Sequence, residues 1–458
     1  MNKIHHKILI ACRGEIAVRA IRICKELGIA SVAVYSEADK NSLHVKLAEE
    51  AICVGPAPSQ NSYLNISNII SAAISTGSTA IYPGYGFLAE NEKFVEIVEK
   101  CGLKFIGPSS SVMQKVGNKA EARKIAQATG IPVVEGSLKE LQTVEEALAE
   151  GERIGYPILL KAVYGGGGRG ITVINSETEL KEKWAITQAE ARACFGSGEL
   201  YLEKYLDGVR HVEVQVLADK YFNVIHLGER DCSLQRRKQK IVEEAPSRFV
   251  DGALREKLGS SAIAFTQAIE YENAGTVEFI IDKNGNYYFI EMNARIQVEH
   301  PVSEMISGID LVKEQIRIAL GNPLPFKQEN IRLNGWAIEC RINAEDHLND
   351  FRPCPGIIKN IVFPGGFNVR VDTFIYPNYE APPYYDSLLA KLIVWAPTRI
   401  EAIRKMRVAL EQFIIGGIKS NIEFHYLLMH NPDYVRGSYD TNFINHFAKL
   451  VVEENRGE

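Results

Sequence analysis

Long apolar runs, a cysteine framework and the two commonest phosphate-loop signatures are all missing from this chain of 458 residues. No segment approaches the roughly 20 apolar residues that a membrane-spanning helix needs, and the N-terminus M-N-K-I-H-H-K-I-L-I-A-C-R-G carries no apolar leader. No membrane role is expected. The eight cysteines are scattered with no C-x-x-C pair, which excludes a zinc ribbon or disulfide scaffold and reads as reduced thiols in a cytoplasmic protein. G-x-G-x-x-G is absent from the first strand-to-helix turn, where only Gly14 stands, so NAD is not the expected ligand. G-x-x-x-x-G-K-[ST] is absent too, which excludes a P-loop NTPase. A net charge of −5 argues against bulk nucleic-acid binding while permitting local basic pockets.

What is present describes a soluble globular protein: 46% hydrophobic and 24% charged residues, with enough length for several domains. Lys7–Cys12 reads as a strand, the run through Leu27 as a helix closed by Gly28, and Ser31–Tyr35 as a second strand. This β-α-β opening predicts a parallel sheet. A helix follows Asn118-Lys119, and Ile131-Pro132 ends it.

The richest stretch is F-I-E-M-N-A-R-I-Q-V-E-H-P, residues 289–301. Ile290, Met292, Ala294, Ile296 and Val298 alternate with Glu291, Asn293, Arg295, Gln297 and Glu299, which predicts an extended segment with one face in the core. Upstream, Asn284-Gly285 between apolar runs predicts a two-residue hairpin loop. Counting back from it sets Glu278 opposite Glu291. Facing carboxylates repel, and a divalent cation held by Glu278, Glu291 and Asn293 would remove the conflict, with room for phosphate oxygens. The competing reading is a hairpin with a solvated acidic face.

Other segments fit around a phosphate site. Tyr156–Ala162 reads as a strand bearing Lys161, and Gly165, Gly166, Gly167 and Gly168 follow at once. Consecutive glycines suit a mobile loop whose bare N–H groups close over phosphates, against the alternative of a surface linker. Leu200–Tyr205 reads as strand and hinge, where Glu203 and the backbone near Lys204 and Leu206 could meet an adenine edge. Arg210–Val216 alternates as a further strand, and Cys232–Lys240 is densely basic, either a strand aiming cations into a site or a solvated turn.

Taken in order, A-C-R-G-E-I-A, I-Y-P-G-Y-G-F-L-A-E-N, the glycine run, Q-R-R-K-Q-K, E-M-N-A-R-I-Q-V-E-H-P, E-C-R-I-N-A-E-D and P-P-Y-Y-D resemble the biotin carboxylase subunits of bacterial acetyl-CoA carboxylase, over nearly the whole chain. The resemblance implies an α/β and α+β multidomain protein. Residues 1–118 would be a Rossmann-like domain and 119–330 an ATP-grasp domain with a mobile glycine-rich lid at about 133–205, with 331–458 a C-terminal domain completing the site. It implies MgATP- and bicarbonate-dependent carboxylation of biotin through carboxyphosphate, for malonyl-CoA and fatty acid synthesis. Propionyl-CoA and pyruvate carboxylases use similar subunits. The rival readings are a different ATP-grasp ligase and a non-catalytic protein that binds ATP as a regulatory ligand.

Residue by residue, the resemblance puts Lys119, Lys161, the Gly165–Gly168 loop, His211, Gln235 and Lys238 around ATP, with Glu203, Lys204 and Leu206 along the adenine. Two magnesium or manganese ions would sit on Glu278, Glu291 and Asn293. Arg295, Lys240, Gln297 and the Val298 backbone would hold bicarbonate, with Glu299 as its general base. Arg341 would stabilise charge on the biotin ureido oxygen, near Tyr85 and Gly86. Taken without the family, Arg341 reads as an ion pair with Glu345 or Asp346. Three departures stand out: Lys238 where many relatives have His, Val163-Tyr164 before the glycines, and Cys12 in place of a common Asn. Lys405-Met406-Arg407 lies in a helical pattern and is no biotin-attachment site, so the carrier is expected on another polypeptide, with carboxyltransferase subunits as further partners. A homodimer is expected from resemblance.

Overall fold

Strands Lys7–Ile10 (β1), Ala30–Ser36 (β2), Glu50–Gly55 (β3), Ala80–Tyr82 (β4) and Lys104–Phe105 (β5) form a parallel sheet in the order β3-β2-β1-β4-β5. The computed structural model describes residues 6–137, 139–164 and 170–456. The reversal of strand order beside β1 is the usual crevice position of such sheets. Two turns open there. Helix Gly14–Glu26 begins with the buried Glu15, and the turn after β4 carries Tyr85. Gly84 in that turn has φ +64, and a Cβ on it would lie 2.9 Å from the Cys12 sulfur, so both space and conformation demand glycine.

A second unit is a three-stranded antiparallel sheet of Ile158–Ala162 (β6), Ile171–Ile174 (β7) and Leu200–Lys204 (β8), ordered β7-β6-β8. Helices Val144–Ile154 and Glu177–Phe195 cover it, and Leu141, Ala147, Leu160, Leu180 and Trp184 give it a core of its own. Gly165–Gly168, expected to close over phosphates, lie outside the described residues.

The largest element is an eight-stranded antiparallel sheet. Arg210–Ala218 (β9), Val224–Arg236 (β10), Gln239–Ala245 (β11), Asn273–Ile281 (β12), Tyr287–Asn293 (β13) and Trp336–Asn343 (β14) run in the order β13-β12-β9-β10-β11-β14. Strands Leu388–Ala396 and then Val369–Thr373 complete it. β14 hydrogen-bonds to β11, so this sheet continues across the expected boundary at residue 330. Helix Arg399–Gln412 packs on it through Met406, which is fully buried, while Lys405 donates to the carbonyls of Phe367 and Trp395. The Lys405-Met406-Arg407 triplet is thus part of a packed helix. Among the described residues no helix is long and apolar enough to cross a membrane.

Candidate active site

The antiparallel registers bring four charged residues into one row across the central sheet. Glu291 on β13 faces Glu278 on β12, Glu278 faces Glu213 on β9, and Glu213 faces Arg230 on β10. Three carboxylates in line would repel strongly. Basic groups close over each one. Lys119 lies 2.6 Å from Glu291, His211 2.8 Å from Glu278, and the fully buried Arg230 bonds Glu213 at 2.6 Å. Lys240 spans the row, 2.5 Å from Glu213 and 3.4 Å from Glu278. Burial works against the charge on Glu278, but Lys240 and His211 outweigh it and hold its carboxyl far below the ordinary range.

The hairpin reaches this register by a route the sequence alone did not disclose. The loop has three residues, Lys283–Gly285, closed by a bond from the Asp282 N–H to the Asn286 carbonyl, with Gly285 at φ +83. Ile281 therefore pairs with Tyr287, one step away from the predicted count. An extra residue at Ile290 then shifts the ladder back, and Glu278 meets Glu291. The bulge also turns the strand over, so both Phe289 and Met292 face the core.

The predicted extended segment also stops early. β13 ends at Asn293, residues 294–298 are irregular, and Glu299 stands at the head of helix His300–Ser307. Alternation survives because the polar groups bond one another on one side. The Asn293 amide nitrogen donates to Glu278 at 2.8 Å, Gln297 donates to the same oxygen at 3.2 Å, and Arg295 donates to Gln297 at 3.0 Å. Arg295 also bonds Glu90 at 2.9 Å.

Glu299 is wholly buried between two cations. One oxygen lies 2.5 Å from Lys240 and the other 2.9 Å from Arg341. Burial again disfavours its charge, and Lys240, Arg341 and Arg230 together reverse that, holding Glu299 well below the usual carboxylate range. Arg341 pairs with Glu243 and Glu299; Glu345 instead accepts from Ser387 and Asp346 from Lys419, so the ion pair read from the sequence without the family is absent among the described residues. Burial lifts Glu243 to about 7, although Arg341 opposes it. Tyr85 donates to Glu15 and is near enough to Arg341 to feel its charge, and Gly86 beside it sits in the turn at φ +73.

On the other side of the row, Lys161 and Arg123 both grip Glu203, at 2.7 and 2.6 Å. The Glu203 side chain is thereby committed to these cations, and its backbone lies in register between Leu159 and Gly136. Lys204 donates its side chain to the Gly155 carbonyl, and Leu206 is half-buried just beyond β8. Gln235 bonds His211 at 2.6 Å. Lys238 sits with Arg237 in a two-residue turn, and its ammonium donates to the Ile171 carbonyl on β7. The basic run divides here: Arg236 and Arg237 pair outward with Asp350, while Lys240 points into the row.

Sequence reasoning missed Glu213, Arg230, Glu243, Glu15, Glu90 and Lys391. The alternation of β9 put Glu213 on the same face as His211 and was the available signal. The others reach the site only through tertiary pairing. The oxygens of Glu278, Glu291 and Asn293 form a hard donor set suited to magnesium or manganese, once Lys119 leaves Glu291.

Known proteins share this arrangement of domains. Residues 4–113 match the family model for the biotin carboxylase N-terminal domain, residues 118–327 that for the ATP-binding domain of the carbamoyl-phosphate synthase L chain, and residues 339–446 that for the biotin carboxylase C-terminal domain. The chain is 54% identical to biotin carboxylase 1 of Bacillus subtilis, covering 96% of this chain and 98% of that protein. It is 51% identical to a pyruvate carboxylase subunit of Methanothermobacter thermautotrophicus, covering 98% and 91%. A solved structure of the Hydrogenobacter thermophilus 2-oxoglutarate carboxylase biotin carboxylase domain dimer, in complex with MgADP, ADP and bicarbonate, superimposes with TM-score 0.93. It is 51% identical and covers 96% of this chain and 97% of that one.

Proposed function

Because this chain belongs to the biotin carboxylase family of ATP-dependent ligases, we propose that it uses MgATP and bicarbonate to carboxylate N1 of a carrier-bound biotin through carboxyphosphate. The observation that carries the reading is Glu299, fully buried yet held ionised where Lys240 and Arg341 converge. Glu278, Glu291 and Asn293 would hold the magnesium or manganese ions, whose charge neutralises the phosphate oxygens during transfer. Lys119, Lys161, His211, Gln235 and Lys238 surround the phosphates, and Glu203, Lys204 and Leu206 lie along the adenine.

Bicarbonate lies between Arg295, Lys240, Gln297 and the Val298 backbone. An anion that shares Lys240 relieves part of the pull on Glu299 and strengthens it as a base toward the bicarbonate proton. Glu90 holds Arg295 in place until that anion arrives. Arg341, already charged and shared with Glu243, then stabilises the ureido oxygen as biotin N1 becomes nucleophilic, beside Tyr85 and Gly86.

The domain reading is 1–118, 119–330 with its lid at about 133–205, and 331–458, and the assembly is a homodimer working with a biotin carboxyl carrier and carboxyltransferase subunits. The final acceptor in this reading is acetyl-CoA, giving malonyl-CoA for fatty acid synthesis. The names of its relatives make pyruvate and 2-oxoglutarate the other candidates. Reconstitution with each carboxyltransferase separates them. The first test is ADP release from MgATP and bicarbonate with and without free biotin: a rise that needs both supports the reading, and turnover indifferent to biotin overturns it.

A further inference from the structure

Lys391 is fully buried on strand Leu388–Ala396, directly opposite Arg341 in the register with β14. Its ammonium donates to the Val298 carbonyl at 2.9 Å and lies 2.9 Å from Glu15, with Asp372 at 4.0 Å. The hydroxyl of Tyr85 donates to the same oxygen of Glu15. One ammonium therefore ties together the first turn of helix Gly14–Glu26, the turn after β4, the irregular segment before Glu299 and the strand beside Arg341. Burying a lysine is costly unless its partners are in place, so each of these segments has one geometry that satisfies it.

We propose that Lys391 is a positioning residue for catalysis: it fixes the peptide joining Val298 to Glu299, while its counter-ion Glu15 fixes Tyr85, so that the base and the ureido pocket are set from one point. That peptide carries the Val298 carbonyl and the Glu299 N–H, so turning it moves the Glu299 carboxylate and, through the Val298 backbone torsions, the Val298 N–H that faces bicarbonate. Glu299 is not held by its helix alone, because it stands just ahead of the helix's first residue and its side chain makes no cap bond. The inference rests on the reading of Glu299 as the base.

The test compares Lys391→Met, the double variant Lys391→Met/Glu15→Gln and Glu299→Gln in the full chain, by thermal melting and by biotin-stimulated ADP release. Lys391→Met leaves Glu15 buried without its partner and is expected to melt earlier. The double variant removes both charges and regains the melting temperature. A plain structural ion pair would then regain its activity as well. The positioning role predicts instead that the refolded double variant stays about tenfold down in kcat, with a raised KM for bicarbonate and a KM for MgATP within about twofold of the parent. Recovery of kcat in the double variant, or an unchanged kcat in a folded Lys391→Met, overturns the proposal. Activity retained by Glu299→Gln would remove the base reading itself, which separates the two failures.

Discussion

Glu299 and Glu339 are both fully buried acids, yet their surroundings push them in opposite directions. Glu299 has Lys240 and Arg341; both oxygens of Glu339 lack a hydrogen-bond partner among the described residues. Replacing Glu299 by Gln keeps the shape and removes the proposed proton acceptor. MgATP binding, measured by calorimetry, is expected to persist while bicarbonate-dependent turnover falls about a hundredfold or more. Burial, reinforced by Glu243 and Glu299, raises Glu339 well above an ordinary carboxyl, although Lys391 and Arg341 pull the other way. An acid whose folded pKa is raised keeps its proton in the native state while the unfolded chain loses it. Its cost to stability is nil below about pH 4.5 and grows by about 1.4 kcal/mol per pH unit until the folded pKa is reached. Glu339→Gln should therefore match the parent in urea unfolding at pH 4.5 and exceed it at pH 8. Equal stability at both values would contradict the raised pKa of this acid.

Among elements, the turn between β10 and β11 carries a visible conflict. Arg237 and Lys238 have φ of 49° and 66°, the left-handed region where glycine or asparagine is usual. Lys238→Gly is expected to raise stability by about 0.5–1 kcal/mol. It also removes the bond to the Ile171 carbonyl and a cation from the proposed phosphate site, so the KM for MgATP should rise. Stability up with nucleotide affinity down would mark the strain as retained for binding. The β12–β13 hairpin shows what the sequence could and could not disclose. Glu278 opposite Glu291 was legible, but through a two-residue loop that is really three, corrected by a bulge at Ile290. Nothing in the local alternation distinguishes the two routes, since both leave the same carboxylates face to face. The early end of β13 was equally hidden, because residues 294–298 keep the strand pattern for the sake of side-chain bonds. Glu243 and Lys391 were illegible for a plainer reason. Each lies in an apolar run whose meaning depends on a partner far away in sequence: strand β14 for one, the Val298 carbonyl for the other.

For the molecule as a whole, the eight-stranded sheet matters more than the division at residue 330. β11 takes its outer hydrogen bonds from β14, and Ile338, Cys340 and Val242 share one core. A fragment ending at 330 would bare a long apolar strand edge. Residues 1–330 expressed alone should aggregate, whereas the intact chain should show the central sheet unfolding as one unit by hydrogen exchange. A soluble, monomeric fragment would contradict this. The row of Glu291, Glu278 and Glu213 has a consequence for what the protein admits. In the proposed cycle Lys119 turns from Glu291 toward phosphate, and the row is left one cation short. A nucleotide stripped of its metal brings only more negative charge to that deficit, while the chelate carries its own remedy. In the proposed reading the site therefore favours the chelate over the bare nucleotide before any chemistry begins.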